Sequence, residues 1–166
     1  DAEENLLKEG RPKERIFFVG NVMIDTLLKN KSKADSSPIL SRLGIELNKY
    51  ALLTLHRPEN VDEKDKLRNI LSAVEEVAKH IRVVFPIHPR TQKIIRSGTP
   101  LEEKCPPNIL FTEPLGYLDF LKLMSKAKVV LTDSGGIQEE TTILGVPCLT
   151  LRENTERPVT VTQGTN

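Results

Sequence analysis

The stretch VVLTDSGGIQEETTILGVPCLTL, residues 129–151, sets Asp133, Ser134, Gly135 and Gly136 between an apolar run and a run of helical period, with Glu139 and Glu140 just beyond. A chain that leaves a strand and turns at once into a helix favours residues without a Cβ clash, and glycine also admits a ligand close to the backbone. The unpaired amides of the helix start would then face an anion, aided by the helix dipole and the Ser134 hydroxyl, and a pyrophosphate fits there. Ile137, Glu140, Thr141 and Leu144 share one helical face, which turns Glu140 inward and leaves Glu139 nearer solvent. An inward carboxylate one turn from a phosphate site suits both hydroxyls of a ribose. The segment is neither a Walker A loop nor GxGxxG, and the same residues also read as a plain tight turn followed by a first-turn acid that the dipole stabilises.

Other polar residues follow apolar runs in the same manner. His56 and Arg57 open HRPEN, and His88 opens HPR. A histidine at such a place suits a phosphate or sugar donor, an acid or base, or a satisfied structural role. His80 ends a helical stretch, where a cation is favourable. Arg157, in ENTERPVTV, is either a surface cation or a second clamp on a diphosphate. Tyr117, Phe120, Leu121 and Met124 form a helical stripe of the kind that usually packs in a core, although Phe120 could stack on a base at a cleft rim. Carboxylates do not cluster around Asp133 and the histidines, so no metal is expected.

These residues need elements to hold them. From residue 15 onward, short runs rich in Val, Ile and Phe alternate with amphipathic stretches, the signature of βα units and a mainly parallel sheet with helices on both faces. The expected strands are residues 15–20, 50–55, 82–87, 108–113, 128–133 and 147–152. The clearest helix is DEKDKLRNILSAVEEVAKH, with Asp62 as its cap and Leu67, Ile70, Leu71, Val74, Val77 and Ala78 on one stripe. YLDFLKLMSKA and GIQEETTILG read as two more, the second stopped by Gly145 before Pro147. Residues 31–38, KSKADSSP, read as a flexible connection. Parallel strands end on one side, so the segments after them gather at the carboxyl edge, where open α/β sheets bind ligands.

Composition narrows the classes. Lys and Arg number 24 against 23 Asp and Glu, and a net charge of +1 gives no footprint for nucleic acid or an anionic membrane. The apolar runs are too short to span a bilayer and the charged N-terminal stretch has no signal-like core, so a cytoplasmic protein is expected. Cys105 and Cys148 stand alone, without CxxC spacing, and Cys148 reads as a buried small apolar residue. A start at Asp1 and an end at Asn166 without a closing amphipathic helix are what a piece of a longer protein would show.

With these residues in hand, the chain resembles the non-hydrolysing UDP-N-acetylglucosamine 2-epimerases. The matching pieces are NLLKEG, FVGNVMIDTLL, LLTLHRPENVD, PIHPRT, EPLGYLDFLKLM, VVLTDSGGIQEET and RENTERPVTVTQGTN, in order across nearly the whole chain. The resemblance implies one Rossmann-like half of a glycosyltransferase-B type two-domain architecture. Residues 1–38 would be lead-in and linker, and residues 39–166 a UDP-binding domain without its last helices. It further implies that Glu140 holds the ribose hydroxyls and that Ser134 and Gly136, with Gly135 and Arg157, meet the diphosphate. Phe120 would lie against uracil, Arg57 and His88 would line the substrate cleft, and His56 would sit near the phosphates and the reacting sugar. The implied reaction interconverts UDP-GlcNAc and UDP-ManNAc by eliminating UDP to 2-acetamidoglucal and adding it back, with no cofactor. The full-length parent is expected to be a homodimer. The carboxylates that handle the C2 proton are expected in an N-terminal domain, so this stretch alone is expected to be inactive.

Three alternatives remain at this stage. The hydrolysing branch of the family would release ManNAc and UDP. A glycosyltransferase of the same architecture would pass the sugar to an acceptor. A stand-alone UDP-binding module would do neither.

Overall fold

The computed structural model describes residues 2–87, 89–96 and 107–166, with the backbone alone at Pro89, Arg90, Lys93 and Arg96. His88 and Cys105 lie outside the described residues. In chain order the elements are α1 (Ala2–Lys8), a 3-10 turn (Lys13–Arg15), α2 (Val22–Asp35), α3 (Ile39–Leu43), β1 (Tyr50–Thr54), α4 (Pro58–Val61), α5 (Lys64–Ala78), β2 (Arg82–Pro86), α6 (Pro89–Arg96), β3 (Ile109–Thr112), α7 (Tyr117–Lys126), β4 (Val129–Thr132), α8 (Gly135–Leu144), β5 (Cys148–Thr150) and α9 (Pro158–Thr162).

The five strands pair in parallel in the order β3-β2-β1-β4-β5. Strand alternation divides their side chains between two cores. Ala51, Leu53, Val83, Phe85, Ile109 and Leu131 face one way, onto Leu67, Leu71, Val74 and Ala78 of α5. Tyr50, Leu52, Val84 and Val130 face the other, onto Leu27 of α2, Ile39 of α3 and Leu121, Leu123 and Met124 of α7. Buried on both faces, the central strands are apolar almost throughout, as a covered parallel sheet requires. Tyr50, fully buried, has its phenol donating to the Leu123 carbonyl at 2.6 Å, and burial pushes that phenol's pKa well up. Cys148 is buried, as its apolar surroundings in the sequence imply.

Three expected elements differ. Residues 15–20 form no strand; after the 3-10 turn the chain runs extended, with Phe17 77%, Phe18 92% and Val19 75% exposed. A β pattern says only that a segment suits a sheet, and among the described residues no strand pairs with this one. Residues 31–35 are no loose connection but the last turn of α2, where Ala34 is buried and Lys122 and Lys126 of α7 pair with Asp35. Asp62 closes α4 rather than opening α5, which starts one residue later behind Glu63. The Pro58 turn had to become a helix of its own for that to happen, and proline at a first helical position favours it.

Candidate functional site

The chain builds β1, β2 and β3 outward in one direction, then returns to place β4 on the other side of β1. The carboxyl ends of β1 and β4 are thus the topological switch point, where the segments that leave the two strands diverge and open a crevice. Thr54 and Thr132 pair in register there, and their hydroxyls lie 2.7 Å apart. Asp133 follows Thr132 directly, and His56 follows Thr54 by two residues.

Asp133 is fully buried. Its Oδ1 lies 2.8 Å from His56 Nδ1, and its Oδ2 accepts from the Arg57 amide at 2.9 Å and from Asn60 Nδ2 at 3.2 Å. The His56 amide reaches both oxygens, at 3.2 and 3.1 Å. Burial alone would raise this carboxyl, but the hydrogen bonds from the His56 ring, the Arg57 amide and the His56 amide outweigh it and hold the pKa below the ordinary range. Asn60 also donates to the Leu151 carbonyl at 2.9 Å, which ties the segment after β5 to the same point. Sequence reading places Asp133 in the turn and weighs it with the histidines for a metal, but does not pair it with His56. Strand register is the signal that could have paired it with His56.

Ser134 is the N-cap of α8 in extended conformation, and its amide donates to Thr132 Oγ1 at 3.0 Å, while its hydroxyl makes no capping bond. Helix geometry leaves the next amides, of Gly135, Gly136 and Ile137, without intrahelical acceptors. Neither glycine has a positive φ, so their value is space. A Cβ on Gly136 would stand 2.7 Å from the Met23 methyl of α2, and one on Gly135 would meet Glu156 at 3.7 Å and Arg157 at 3.8 Å. Arg157 therefore lies beside the helix start.

Glu139, beside Glu140 on the helix, is not fully turned to solvent: its side chain is 20% exposed and lies 2.9 Å from Arg157 Nε. That contact is an ion pair rather than an aimed hydrogen bond, since the Nε hydrogen finds no acceptor. Glu140 is half-buried and makes no hydrogen bond or ion pair among the described residues. Burial, then the neighbouring Glu139 charge, raise its carboxyl. Burial, then the Glu140 charge, raise the phenol of Tyr117 at the start of α7. Phe120 follows one turn later, partly buried against the second core.

The cations of the edge already have partners. Glu156 takes Arg57 Nη2 on Oε1 at 2.7 Å and Arg152 Nη1 on Oε2. Its own amide, then Arg152 and Arg57, hold its carboxyl at about 2. A cavity lined by Glu59, Asn60, Lys66, Arg152, Glu153 and Asn154 shares Asn60 and Arg152 with this network but does not reach Glu140. Among the described residues no three His, Cys, Asp or Glu side chains converge as a metal ion would need. No helix of the described residues is long and apolar enough to cross a membrane.

His56, Arg57, Ser134, Gly135, Gly136 and Arg157 thus meet at one edge, with Glu140 one turn along α8 and Phe120 on α7 beyond it. His88 lies outside the described residues. What sequence missed is Glu156 and the pairings of Glu139 with Arg157 and of Glu156 with Arg57 and Arg152, which depend on how the segment after β5 folds back.

Such an edge suits a nucleoside diphosphate, and comparison with known proteins is specific. A profile of the UDP-N-acetylglucosamine 2-epimerase family matches residues 1–166. The UDP-N-acetylglucosamine 2-epimerase of Methanocaldococcus jannaschii is 44% identical over 172 residues, which cover 99% of this chain and 47% of that protein. The UDP-2,3-diacetamido-2,3-dideoxy-D-glucuronate 2-epimerase of Pseudomonas aeruginosa is 40% identical over 171 residues, 99% of this chain and 45% of that one. A crystal structure of the M. jannaschii UDP-GlcNAc 2-epimerase in complex with UDP-GlcNAc and UDP matches with a TM-score of 0.91, over 99% of this chain and 47% of that chain. This chain spans about half the length of the curated relatives it matches. By profile, sequence and fold together, it belongs to the UDP-N-acetylglucosamine 2-epimerase family.

Proposed function

We propose that this chain is the nucleotide-binding half of an enzyme that interconverts UDP-GlcNAc and UDP-ManNAc by inversion at C2. The observation that carries the reading is Glu140: a half-buried carboxylate with no hydrogen-bond or ion-pair partner among the described residues, one turn from the open amides of Gly135 and Gly136 at the switch point. A buried charge left unpaired is costly, and a ligand that donates two hydroxyls to it repays that cost. In this reading the ribose hydroxyls bond Glu140, and the α8 amides and the Ser134 hydroxyl receive the diphosphate. Arg157 and Arg57 exchange Glu139 and Glu156 for phosphate oxygens. Phe120 lies against uracil. The two relatives are named for different sugars, yet both names share UDP and epimerisation at position 2, which supports assigning the nucleotide to this half.

The reaction then divides between two halves. Loss of the C2 proton and cleavage of the bond from C1 to the diphosphate oxygen give 2-acetamidoglucal and UDP. Re-addition of UDP at C1, with a proton returned to the opposite face of C2, gives the epimer. Atoms and electrons balance without an oxidant, so no hydride carrier is required. This chain stabilises the departing diphosphate through amides, arginines and His56, in positions set before the reaction. Groups that move the C2 proton are assigned to the half of the relatives' length beyond this chain. His88 is proposed to line the substrate cleft. A cytoplasmic homodimer of the complete protein belongs to the proposal, and light scattering tests the dimer.

The test is product identity. With UDP-GlcNAc, the complete protein should form UDP-ManNAc, whereas free ManNAc with UDP would indicate the hydrolysing reaction and sugar passed to an acceptor would indicate a transferase. The 166-residue chain alone should bind UDP and form no UDP-ManNAc.

A further inference from the structure

We propose that Asp133 is the positioning residue for His56: its carboxylate fixes the imidazole as the Nδ1–H tautomer and makes Nε2 the only ring atom that exchanges a proton with the cleft. The tautomer follows from local geometry, while its use in the reaction rests on the function proposed above.

Among the described residues, every polar partner of the Asp133 carboxylate is a donor. The amides of His56 and Arg57, the Asn60 side chain and the His56 ring share its two oxygens. A carboxylate so surrounded is acceptor-only, and a proton on either oxygen would point at another donor. His56 Nδ1, 2.8 Å away, must therefore carry the hydrogen. Asp133 is 0% exposed and sits at the end of a strand paired on both sides, so it cannot follow the ring if the ring turns. The His56 side chain is 52% exposed, and its Nε2 is on the ring edge away from Asp133. Asp133 also directly precedes Ser134 and the α8 amides, so one residue links the proton-bearing ring to the anion-binding helix start.

The chemical consequence concerns UDP departure. A neutral His56 presents a lone pair at Nε2; a protonated one presents Nε2–H to the leaving diphosphate oxygen. In both states Nδ1 keeps its hydrogen, directed at Asp133, and the buried carboxylate balances the imidazolium charge. This is the division of labour by which a buried aspartate orients a histidine in hydrolases.

The test is long-range 15N–1H NMR of the histidine-labelled 166-residue chain, at a pH where the ring is neutral. We expect a pyrrole-type Nδ1 and a pyridine-type Nε2 for His56. A wild-type ring with its proton on Nε2 would overturn the proposal, and this measurement needs no variant to fold. Asp133→Asn should reverse the tautomer: the amide oxygen best serves the two backbone donors and Asn60, which turns the NH2 group toward Nδ1. Asn60→Ala removes another partner of the same carboxylate and should leave the tautomer as it was. An unchanged tautomer in Asp133→Asn, or the same reversal in Asn60→Ala, would reduce Asp133 to a structural role. In the complete protein, Asp133→Asn should lower kcat by about 100-fold or more with little change in KM; a change in KM alone would contradict positioning. Titration of the wild-type chain with UDP separates the two levels, because a correct tautomer without UDP binding would defeat the functional reading and leave the geometry intact.

Discussion

Replacing Glu140 by glutamine should move folding and ligand binding in opposite directions. In the unliganded chain the Glu140 carboxylate has lost part of its hydration and stands beside Glu139, and both effects raise its pKa above 4.5. A carboxyl raised on folding contributes stability that is fully present below its unfolded pKa and is lost as pH rises through the folded value. At pH 7 the ionised group therefore opposes folding, and an uncharged side chain of the same shape should relieve it. Partial exposure lets solvent screen the effect, so the gain should be about 1 kcal/mol or less, a rise in Tm of up to about 4 °C for a chain of this size. The difference should shrink toward pH 4, where wild-type Glu140 is protonated. Binding moves the other way. Two hydroxyls donating to a carboxylate contribute roughly 1.5 to 3 kcal/mol, so Glu140→Ala should weaken UDP by about 10- to 150-fold, and Glu140→Gln, which keeps one acceptor oxygen, by less. Calorimetry with UDP and thermal denaturation from pH 4 to pH 8 read both effects. An unchanged Kd for Glu140→Ala, or a lower Tm for Glu140→Gln at pH 7, would refute the reasoning.

Three further perturbations test the surroundings. Gly136→Ala sets a Cβ 2.7 Å from the methyl at the free end of Met23, which is 44% exposed and can swing aside, and alanine suits a helical position better than glycine, so stability should stay unchanged or rise by up to about 1 kcal/mol in thermal denaturation; a loss of more than about 1 kcal/mol would contradict this. Tyr50→Phe deletes the phenol that the Leu123 carbonyl accepts in a fully buried site and should destabilise by about 1 to 2 kcal/mol in urea unfolding with an unchanged m-value. Glu156, with its carboxyl held at about 2 by its own amide, Arg152 and Arg57, contributes stability that is present above 4.5 and lost as pH falls toward 2; the Tm difference between wild type and Glu156→Gln should therefore be largest above pH 4.5 and fade in acid.

Much of this architecture is legible in the sequence because burial leaves a periodic record. The strands at Tyr50–Thr54, Arg82–Pro86, Ile109–Thr112, Val129–Thr132 and Cys148–Thr150 are apolar on both faces and bounded by turn residues, so both their existence and their shared edge can be read directly. The α8 helix is equally plain, from its glycines to the left-handed Gly145 that ends it. The Phe17–Val19 run carries the same local signal and yet forms no strand, since pairing is a property of two segments and only one is written there. The end of α2 shows the converse: KSKAD is polar enough to read as a linker, but α7 supplies the apolar contact for Ala34 and the cations for Asp35.

Within the site, residue types point to the glycine turn at the start of α8 and to the half-buried Glu140, but not to the pairings around them. Whether Arg157 meets Glu139 or solvent depends on the path of residues 151–158, for which helical spacing gives no rule. Asp133 looked like one more turn residue because its role is set by register with a strand 77 positions away. Long-range partnerships of this kind are what a one-dimensional pattern leaves out.

The most direct measurement is a calorimetric titration of the 166-residue chain with UDP in metal-free buffer. Saturable binding at one site per chain, weakened in Glu140→Ala, is the expected result. A folded chain that gives no saturable heat with UDP would contradict the assignment of the α8 helix start and Glu140 to the nucleotide.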